Sequence, residues 1–120
     1  MADFDVTTAD RTYALALRIV KAYKYLKEEK QEYVMSKQLL RSGTSIGAQV
    51  REAKFAQSRA DFISKLSIAL KEANETGYWL ELLYKTDYIS AEQYNFLESK
   101  CKSLRAMLVS SINTAKNNNK

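Results

Sequence analysis

Residues 59–86 read RADFISKLSIALKEANETGYWLELLYKT, the longest regular stretch in the chain. Apolar or small residues recur in it at steps of three and four, which is the period of one face of an α-helix. They are Phe62, Leu66, Ala69, Leu70, Ala73, Gly77, Leu80, Leu83 and Tyr84. Ser58 comes just before the stretch and Asp61 three residues later, a pair typical of a helix N-terminus. The pattern predicts a helix over residues 59–86.

The rest of the chain contains three more segments with a helical period. We predict helices over residues 8–29, 35–56 and 90–115. Ser90 and Gln93, at the start of the last segment, have the spacing of a capping box. The 120 residues include no proline and only three glycines, a composition that favours helix. We therefore predict a single all-α domain over residues 1–120, and the short connections favour an antiparallel up-down-up-down four-helix bundle.

The chain offers few of the side chains that catalysis and metal binding use. It contains no histidine, and its one cysteine, Cys101, cannot form an intramolecular disulfide. Without histidine, the usual zinc and haem ligand sets cannot be assembled within one chain. Glu72, Glu75 and Glu81 are interspersed with lysines, as on a solvated helix face. We expect no enzymatic activity, no bound metal and no cofactor.

The sequence also predicts where the protein resides. The longest apolar run covers residues 13–17, far too short to cross a bilayer. The first ten residues, MADFDVTTAD, are acidic, whereas a secretory signal peptide begins with positive charge. We expect a cytoplasmic protein with no membrane association.

Positive charge is concentrated in two blocks of the sequence. Acidic and basic residues are equal in number over residues 1–98, so the net charge of +5 comes from residues 99–120. Residues 11–27 form the second block, with five basic side chains and no acidic one. In the predicted topology helices 1 and 4 are neighbours, which places both blocks on one wall. We predict that this wall contacts the phosphates of RNA or DNA through Arg11, Arg18, Lys21, Lys24, Lys102 and Arg105.

The apolar residues of the first predicted helix fall on two nearly opposite stripes. One stripe is Tyr13, Ala16, Leu17 and Val20, and the other is Leu15, Ile19, Ala22 and Leu26. One stripe can face the core, and the other then requires a cover, because small monomers rarely leave such a strip exposed to water. We predict a homo-oligomer with the second stripe at its subunit interface, through Leu15, Ile19 and Leu26.

Residues 38–53, QLLRSGTSIGAQVREA, hold two of the three glycines, Gly43 and Gly47. The stretch lacks the Gly-Lys-Ser/Thr ending of a phosphate-binding loop, and its flanking arginines exclude a membrane GxxxG dimer. Each glycine costs about 1 kcal/mol of helix propensity, so we interpret both as places where another helix packs closely. We assign Trp79 to helix packing as well, in preference to a base-stacking platform with Tyr78.

Several motifs of the chain resemble one known family. They are QLLRSGTSIGAQVREA at residues 38–53, Ser58, Asp61 with Phe62, and KLSIALKEANETGYWLELL at residues 65–83. These motifs resemble four-helix-bundle proteins encoded within intervening sequences of bacterial 23S rRNA genes. The accessory variability determinant of diversity-generating retroelements is similar to the same group. The resemblance implies a homopentamer and, through the retroelement protein, a basic surface that binds nucleic acid together with a reverse transcriptase.

Two functions remain open at the level of sequence. The first is a non-enzymatic homo-oligomeric scaffold whose basic wall binds structured RNA or DNA. The second is a protein-interaction module, for example an accessory subunit of a reverse transcriptase, that binds no nucleic acid itself. A net charge of +5 does not separate them, since a basic surface attracts polyanions whatever its purpose.

Overall fold

The computed structural model describes residues 8–118. Four helices account for most of this range: α1 (Ala9–Glu28), α2 (Met35–Ala53), α3 (Arg59–Lys85) and α4 (Ala91–Asn117). The described part of the chain contains no strand. The predicted all-α four-helix bundle is confirmed, while residues 1–7 and 119–120 of the predicted domain lie outside the described residues.

The two predicted serine caps begin α3 and α4. Ser58 Oγ accepts the backbone N–H of Asp61 at 3.0 Å, which satisfies one of the free donors at the start of α3. Ser90 Oγ accepts the N–H of Gln93 at 3.1 Å, and Gln93 Oε1 accepts the N–H of Ser90 at 2.8 Å. These reciprocal bonds form the capping box that the sequence predicts for α4.

The buried carboxylate of Glu32 caps α2. The sequence predicts no cap for this helix. Glu32 Oε1 accepts the N–H of Ser36 at 2.7 Å, and Oε2 accepts those of Val34 and Met35 at 3.2 and 3.1 Å. A negative charge is favourable at a helix N-terminus, where the peptide dipoles leave partial positive charge. Sequence reasoning missed this cap because Glu32 lies in a polar connection without a capping-box spacing.

The predicted end of α2, residue 56, is three positions too late. After Ala53 the backbone tightens, since Phe55 N donates to Glu52 O at 3.0 Å and Ala56 N to Ala53 O at 3.2 Å. These are bonds to the third residue back, as in a 3₁₀ turn, and they reverse the chain before the cap of α3.

Helices that follow one another in sequence pack side by side and antiparallel. Glu52, late in α2, pairs with Lys65, early in α3, at 3.5 Å, whereas Arg41, earlier in α2, pairs with Glu72 at 3.3 Å. Of the four contacts between neighbouring helices, the α2–α3 contact is the most extensive and the α1–α4 contact is the least extensive. A groove therefore stays open between α1 and α4.

None of the helices within residues 8–118 combines the length and apolar character that crossing a bilayer requires.

The structure decides which stripe of α1 faces the core. Leu15, Ile19 and Leu26 are fully buried within the single chain, so the prediction that they form a subunit interface is wrong. Tyr13 and Leu17, on the other stripe, are 54% and 51% exposed. Periodicity alone could not assign the two stripes, because both have the length and spacing of a core-facing surface.

The two glycines of α2 both face α1 but at different separations. A Cβ on Gly43 would lie 2.8 Å from two carbons of Ile19, closer than side-chain carbons approach. A Cβ on Gly47 would lie 3.4 to 3.5 Å from Thr12, which is ordinary van der Waals contact. Gly43 is therefore required for the packing of α1 on α2, and Gly47 is not.

Alanine substitutions at the two glycines should have different effects on stability. Gly43→Ala is expected to lower the free energy of unfolding by about 1–3 kcal/mol, because overpacking against Ile19 outweighs the propensity gain. Gly47→Ala should leave it unchanged or raise it by up to about 1 kcal/mol. Urea unfolding followed by circular dichroism measures both. Equal effects of the two substitutions would contradict this account of the packing.

Candidate nucleic-acid interface

The start of α1 lies beside the second half of α4, as the predicted topology requires. Arg11 donates from Nη2 to Ser103 Oγ at 2.5 Å and from Nη1 to Met107 Sδ at 3.1 Å. These contacts join residues more than 90 positions apart and bring the basic block of α1 onto α4. At Arg11, therefore, the basic block of α1 lies against α4, as the prediction of one shared wall requires.

Phe96 of α4 is the centre of a cluster of cations from both helices. The guanidinium carbon of Arg18 lies 5.1 Å from the ring centroid, and Lys100 Nζ lies 5.0 Å from it. Both distances fall within the range of cation–π attraction. Phe96 is 42% exposed, so a large part of this aromatic surface is open to solvent.

Two pockets lie in the groove and share Arg18 and Phe96. The first, of about 290 Å³, is lined by Arg18, Lys21, Ala22, Tyr25, Ile89, Gln93, Phe96 and Leu97. The second, of about 340 Å³, is lined by Arg11, Ala14, Arg18, Phe96, Lys100 and Leu104. We call the two pockets together the basic cleft. Its cations are Arg11, Arg18, Lys21 and Lys100, and its exposed aromatic ring is Phe96.

Arg105 does not belong to the basic cleft. Its Nη2 forms an ion pair with Glu98 Oε2, and its Nη1 donates to the carbonyl of Ala73 on α3 at 3.4 Å. Gly77 of α3 leaves room for this pair, since a Cβ there would lie 3.0 Å from Arg105 Nη1. The predicted phosphate contact of Arg105 stays a prediction, since its charge is paired with Glu98 at the α3–α4 interface and does not contribute to the basic cleft.

Lys24 and Lys102 are exposed but line neither cleft pocket. Lys102 follows Lys100 by two positions, which places it about 200° further round α4. Lys24 lies about 120° from Arg18 on α1 but only about 60° from Lys21, which it follows by three positions. Lys102 therefore lies on another face of the bundle, and Lys24 lies beside the cleft but outside both pockets.

Lys100 is a cleft residue that sequence reasoning missed. It lies in the basic block at the end of the chain and follows Phe96 by one helical turn. The one-turn spacing from Phe96 was the signal in the sequence that could have identified Lys100. It shows that the two residues share a face of α4, but that this face borders the groove is known only once α1 is placed beside it.

Comparison with known proteins gives the relatives of the chain. The family model described as 23S rRNA-intervening sequence protein matches residues 5–110. The chain belongs to this family. A crystal structure of a protein with unknown function from the S23 ribosomal protein family of Bacteroides thetaiotaomicron is similar to it, with a TM-score of 0.90. This intervening sequence protein and the Bacteroides protein are 56% identical, over 92% of the first chain and 98% of the second.

No protein with a curated function matches the sequence. The predicted likeness to the accessory variability determinant of retroelements stays a prediction. The relatives thus show the family of the chain, and the Bacteroides structure has the same fold.

Trp79 of the intervening sequence protein lies at the edge of the α2–α3 packing. It is partly buried against the core, and its indole Nε1 donates to Glu75 Oε2 at 3.1 Å. Arg41 of α2 forms an ion pair with the same carboxylate. The hydrogen bond from Arg41, followed by that from Trp79, lowers the pKa of Glu75. The Arg41–Glu75 ion pair joins α2 to α3, and Trp79 supports this carboxylate from the same helix, which leaves its indole nitrogen occupied.

The remaining chemical candidate, Cys101, is held in an unreactive state. Its side chain is fully buried among the core residues of α4. Burial, and to a smaller extent the charge of Glu98, raises the pKa of its thiol to about 12. A thiol is nucleophilic only as thiolate, so this one is a small apolar core group at neutral pH. Within residues 8–118, no group of three metal-binding side chains is close enough to hold an ion.

Thiol labelling should distinguish a buried Cys101 from a reactive one. In the native intervening sequence protein at pH 8, Ellman's reagent should show no reaction over several minutes, because the thiol is buried and protonated. Reaction should be complete at once in guanidinium chloride. A Cys101→Ala, Lys102→Cys variant, with its thiol on the exposed neighbouring position, is the control and should react rapidly when native. Fast labelling of native Cys101 would contradict its assignment to the core.

Proposed function

We propose that the intervening sequence protein is a non-enzymatic, homo-oligomeric scaffold that binds structured RNA or DNA through its basic cleft. One observation carries this proposal: Arg18 of α1 and Lys100 of α4 lie against the exposed ring of Phe96, and Lys21 and Arg11 line the two pockets that share this ring. Among the described residues, neither cleft pocket is lined by an Asp or Glu side chain. Ordinary helix surfaces mix both signs of charge, so a cleft of one sign favours a polyanionic ligand.

The names of the relatives favour RNA as the first ligand to test. The family description refers to 23S rRNA, and the Bacteroides protein is assigned to a ribosomal protein family. A ribonucleoprotein setting in the cytoplasm agrees with such a ligand. Aromatic and basic side chains side by side are also the combination that RNA-binding surfaces use for bases and phosphates.

The binding should be mainly electrostatic. If each of the four cleft cations neutralises one phosphate, log Kobs should fall with log salt concentration with a slope of roughly −3 to −4. A larger slope would require phosphate contacts outside the cleft, and a smaller one would mean that fewer cations are used.

Charge reversal inside and outside the cleft provides a matched test. The double variant Arg18→Glu, Lys21→Glu should weaken binding of a folded RNA at least about tenfold at low salt, because two phosphate contacts become repulsive. The double variant Lys24→Glu, Lys102→Glu changes the net charge by the same amount outside the two cleft pockets. It should keep most of the affinity. Gel shift at two ionic strengths measures both.

Two results would contradict this proposal. If the unaltered protein binds no RNA or DNA at low salt, the basic cleft serves another partner, such as a reverse transcriptase or another protein. If both double variants lose affinity equally, attraction to the whole surface explains the binding, and the cleft has no special role.

The exposed stripe of α1 supports the homo-oligomeric part of the proposal. Tyr13 and Leu17 are more than half exposed, and a groove of about 400 Å³ lies beside Tyr13, between α1 and α2. The groove is lined by Ala9, Thr12, Tyr13, Ala16, Thr44, Gly47, Ala48, Arg51 and Glu52. Small residues such as Ala16 and Ala48 leave space for side chains of a second subunit. Five subunits, the number implied by the family resemblance, is our proposal for the assembly.

An arginine placed on this stripe should dissociate the assembly. Leu17→Arg should shift the mass measured by light scattering at micromolar concentration towards that of one chain, because a buried unpaired charge at an interface is costly. Val109→Arg, at an exposed apolar position of α4, is the matched control and should not change the mass. A monomeric unaltered protein, or an intact Leu17→Arg assembly, would show that the stripe is no interface.

A further inference from the structure

The first cleft pocket is apolar inside and basic at its rim. Ala22 of α1 and Leu97 of α4 contribute aliphatic carbon, as does Ile89 of the connection before α4. Leu97 and Ile89 are nearly buried, whereas the neighbouring ring of Phe96 is partly open to solvent. Phosphate has no affinity for such an apolar lining. Phosphate binding by the four cations therefore leaves the apolar interior of the pocket without a ligand group.

We propose that this pocket holds the base of an unpaired nucleotide, which makes looped or single-stranded RNA the preferred ligand over a continuous duplex. This inference rests on the proposed function of the cleft. In a duplex the bases are stacked inside and only phosphates and groove edges meet the protein, so an apolar pocket gains nothing from it. An unpaired base can turn outward and stack on an aromatic side chain, and every base has a face suited to this contact.

The size and the polar groups of the pocket fit one base. Its volume of about 290 Å³ is at the lower limit of small-molecule pockets, about 300–1,000 Å³, so it suits a single flat ring system. Gln93 is the uncharged polar side chain in the lining, apart from the Tyr25 hydroxyl. Its Oε1 accepts the Ser90 N–H, which fixes the amide, and its Nε2 supplies donors for a base carbonyl.

The second cleft pocket supplies the sites for the phosphates that flank this base. It shares Arg18 and Phe96 with the first, and its other cations, Arg11 and Lys100, come from opposite sides of the groove. A backbone that passes along the groove therefore meets cations on both helices while one base enters between Ala22 and Phe96. An acidic peptide would satisfy the cations but has no flat ring at each position, so the aromatic wall favours a nucleotide.

Matched oligonucleotides test the inference. We would measure fluorescence anisotropy with three labelled RNAs of equal length: a single strand, a continuous duplex, and a duplex with one bulged nucleotide. The single strand and the bulged duplex should bind about 5- to 150-fold more tightly than the continuous duplex, the range expected for stacking one base. Removing the base of the bulged nucleotide, with its phosphate retained, should abolish this advantage.

Variants of Phe96 separate the base from the phosphates. Phe96→Ala should weaken binding of the single strand and the bulged duplex much more than binding of the continuous duplex, and so remove the preference for the bulge, because the four cations remain. Phe96→Trp should keep the preference, and its added fluorescence should be quenched by the stacked base. Phe55→Ala, at a 77% exposed aromatic outside the cleft, is the control and should behave as the unaltered chain.

The outcomes distinguish this inference from the proposed function. If continuous and bulged duplexes bind equally while Arg18→Glu, Lys21→Glu still weakens both, the cleft binds nucleic acid but the pocket takes no base. If no RNA binds at all, both proposals fail. If Phe96→Ala weakens all three RNAs equally or dissociates the oligomer, the ring positions cations or joins subunits, and the base site is overturned.

Discussion

The contact between Gly43 of α2 and Ile19 of α1 sets the rotation of α1 about its own axis. A Cβ at Gly43 would lie 2.8 Å from Ile19, so only glycine lets the two helices approach with that stripe facing inward. Once Ile19 faces α2, the helical period sets the direction in which every other side chain of α1 points. The Leu15 stripe enters the core, the Leu17 stripe faces outward, and the arginines point towards α4.

The basic cleft is a consequence of this rotation and of the sparse packing between α1 and α4. Because the α1–α4 contact is the least extensive of the four contacts between neighbouring helices, Arg18 and Lys100 lie on either side of an open groove without being buried. Phe96 between them is held by cation–π attraction, worth about 0.5–1 kcal/mol at an exposed site. Arg105, which comes from the same block of sequence as Lys100, faces α3 and is neutralised by Glu98. Cations close together in sequence thus have different roles, according to the face of α4 they occupy.

Parts of the fold that depend on nearby residues were predicted well. The caps at Ser58 and Ser90 were recognised because each involves a partner three residues away. The carboxylate cap from Glu32 was also local, yet it follows no common spacing and was missed. In the candidate site, Arg11, Arg18 and Lys21 were found from an acid-free block on one helix. Lys100 was missed, and the predicted Lys24, Lys102 and Arg105 line neither cleft pocket, because charge density does not indicate direction.

The sequence by itself determined the number of helices, most of their boundaries, the up-down order and the absence of histidine chemistry, because periodicity, caps and short connections act over a few residues. Only the tertiary structure decided which stripe of α1 is buried and which cations are free. Those outcomes depend on contacts such as Gly43 with Ile19 and Arg11 with Ser103, whose members are far apart in sequence. Two stripes of equal apolar character are equivalent until a second helix packs against one of them. The partner surface therefore makes that choice.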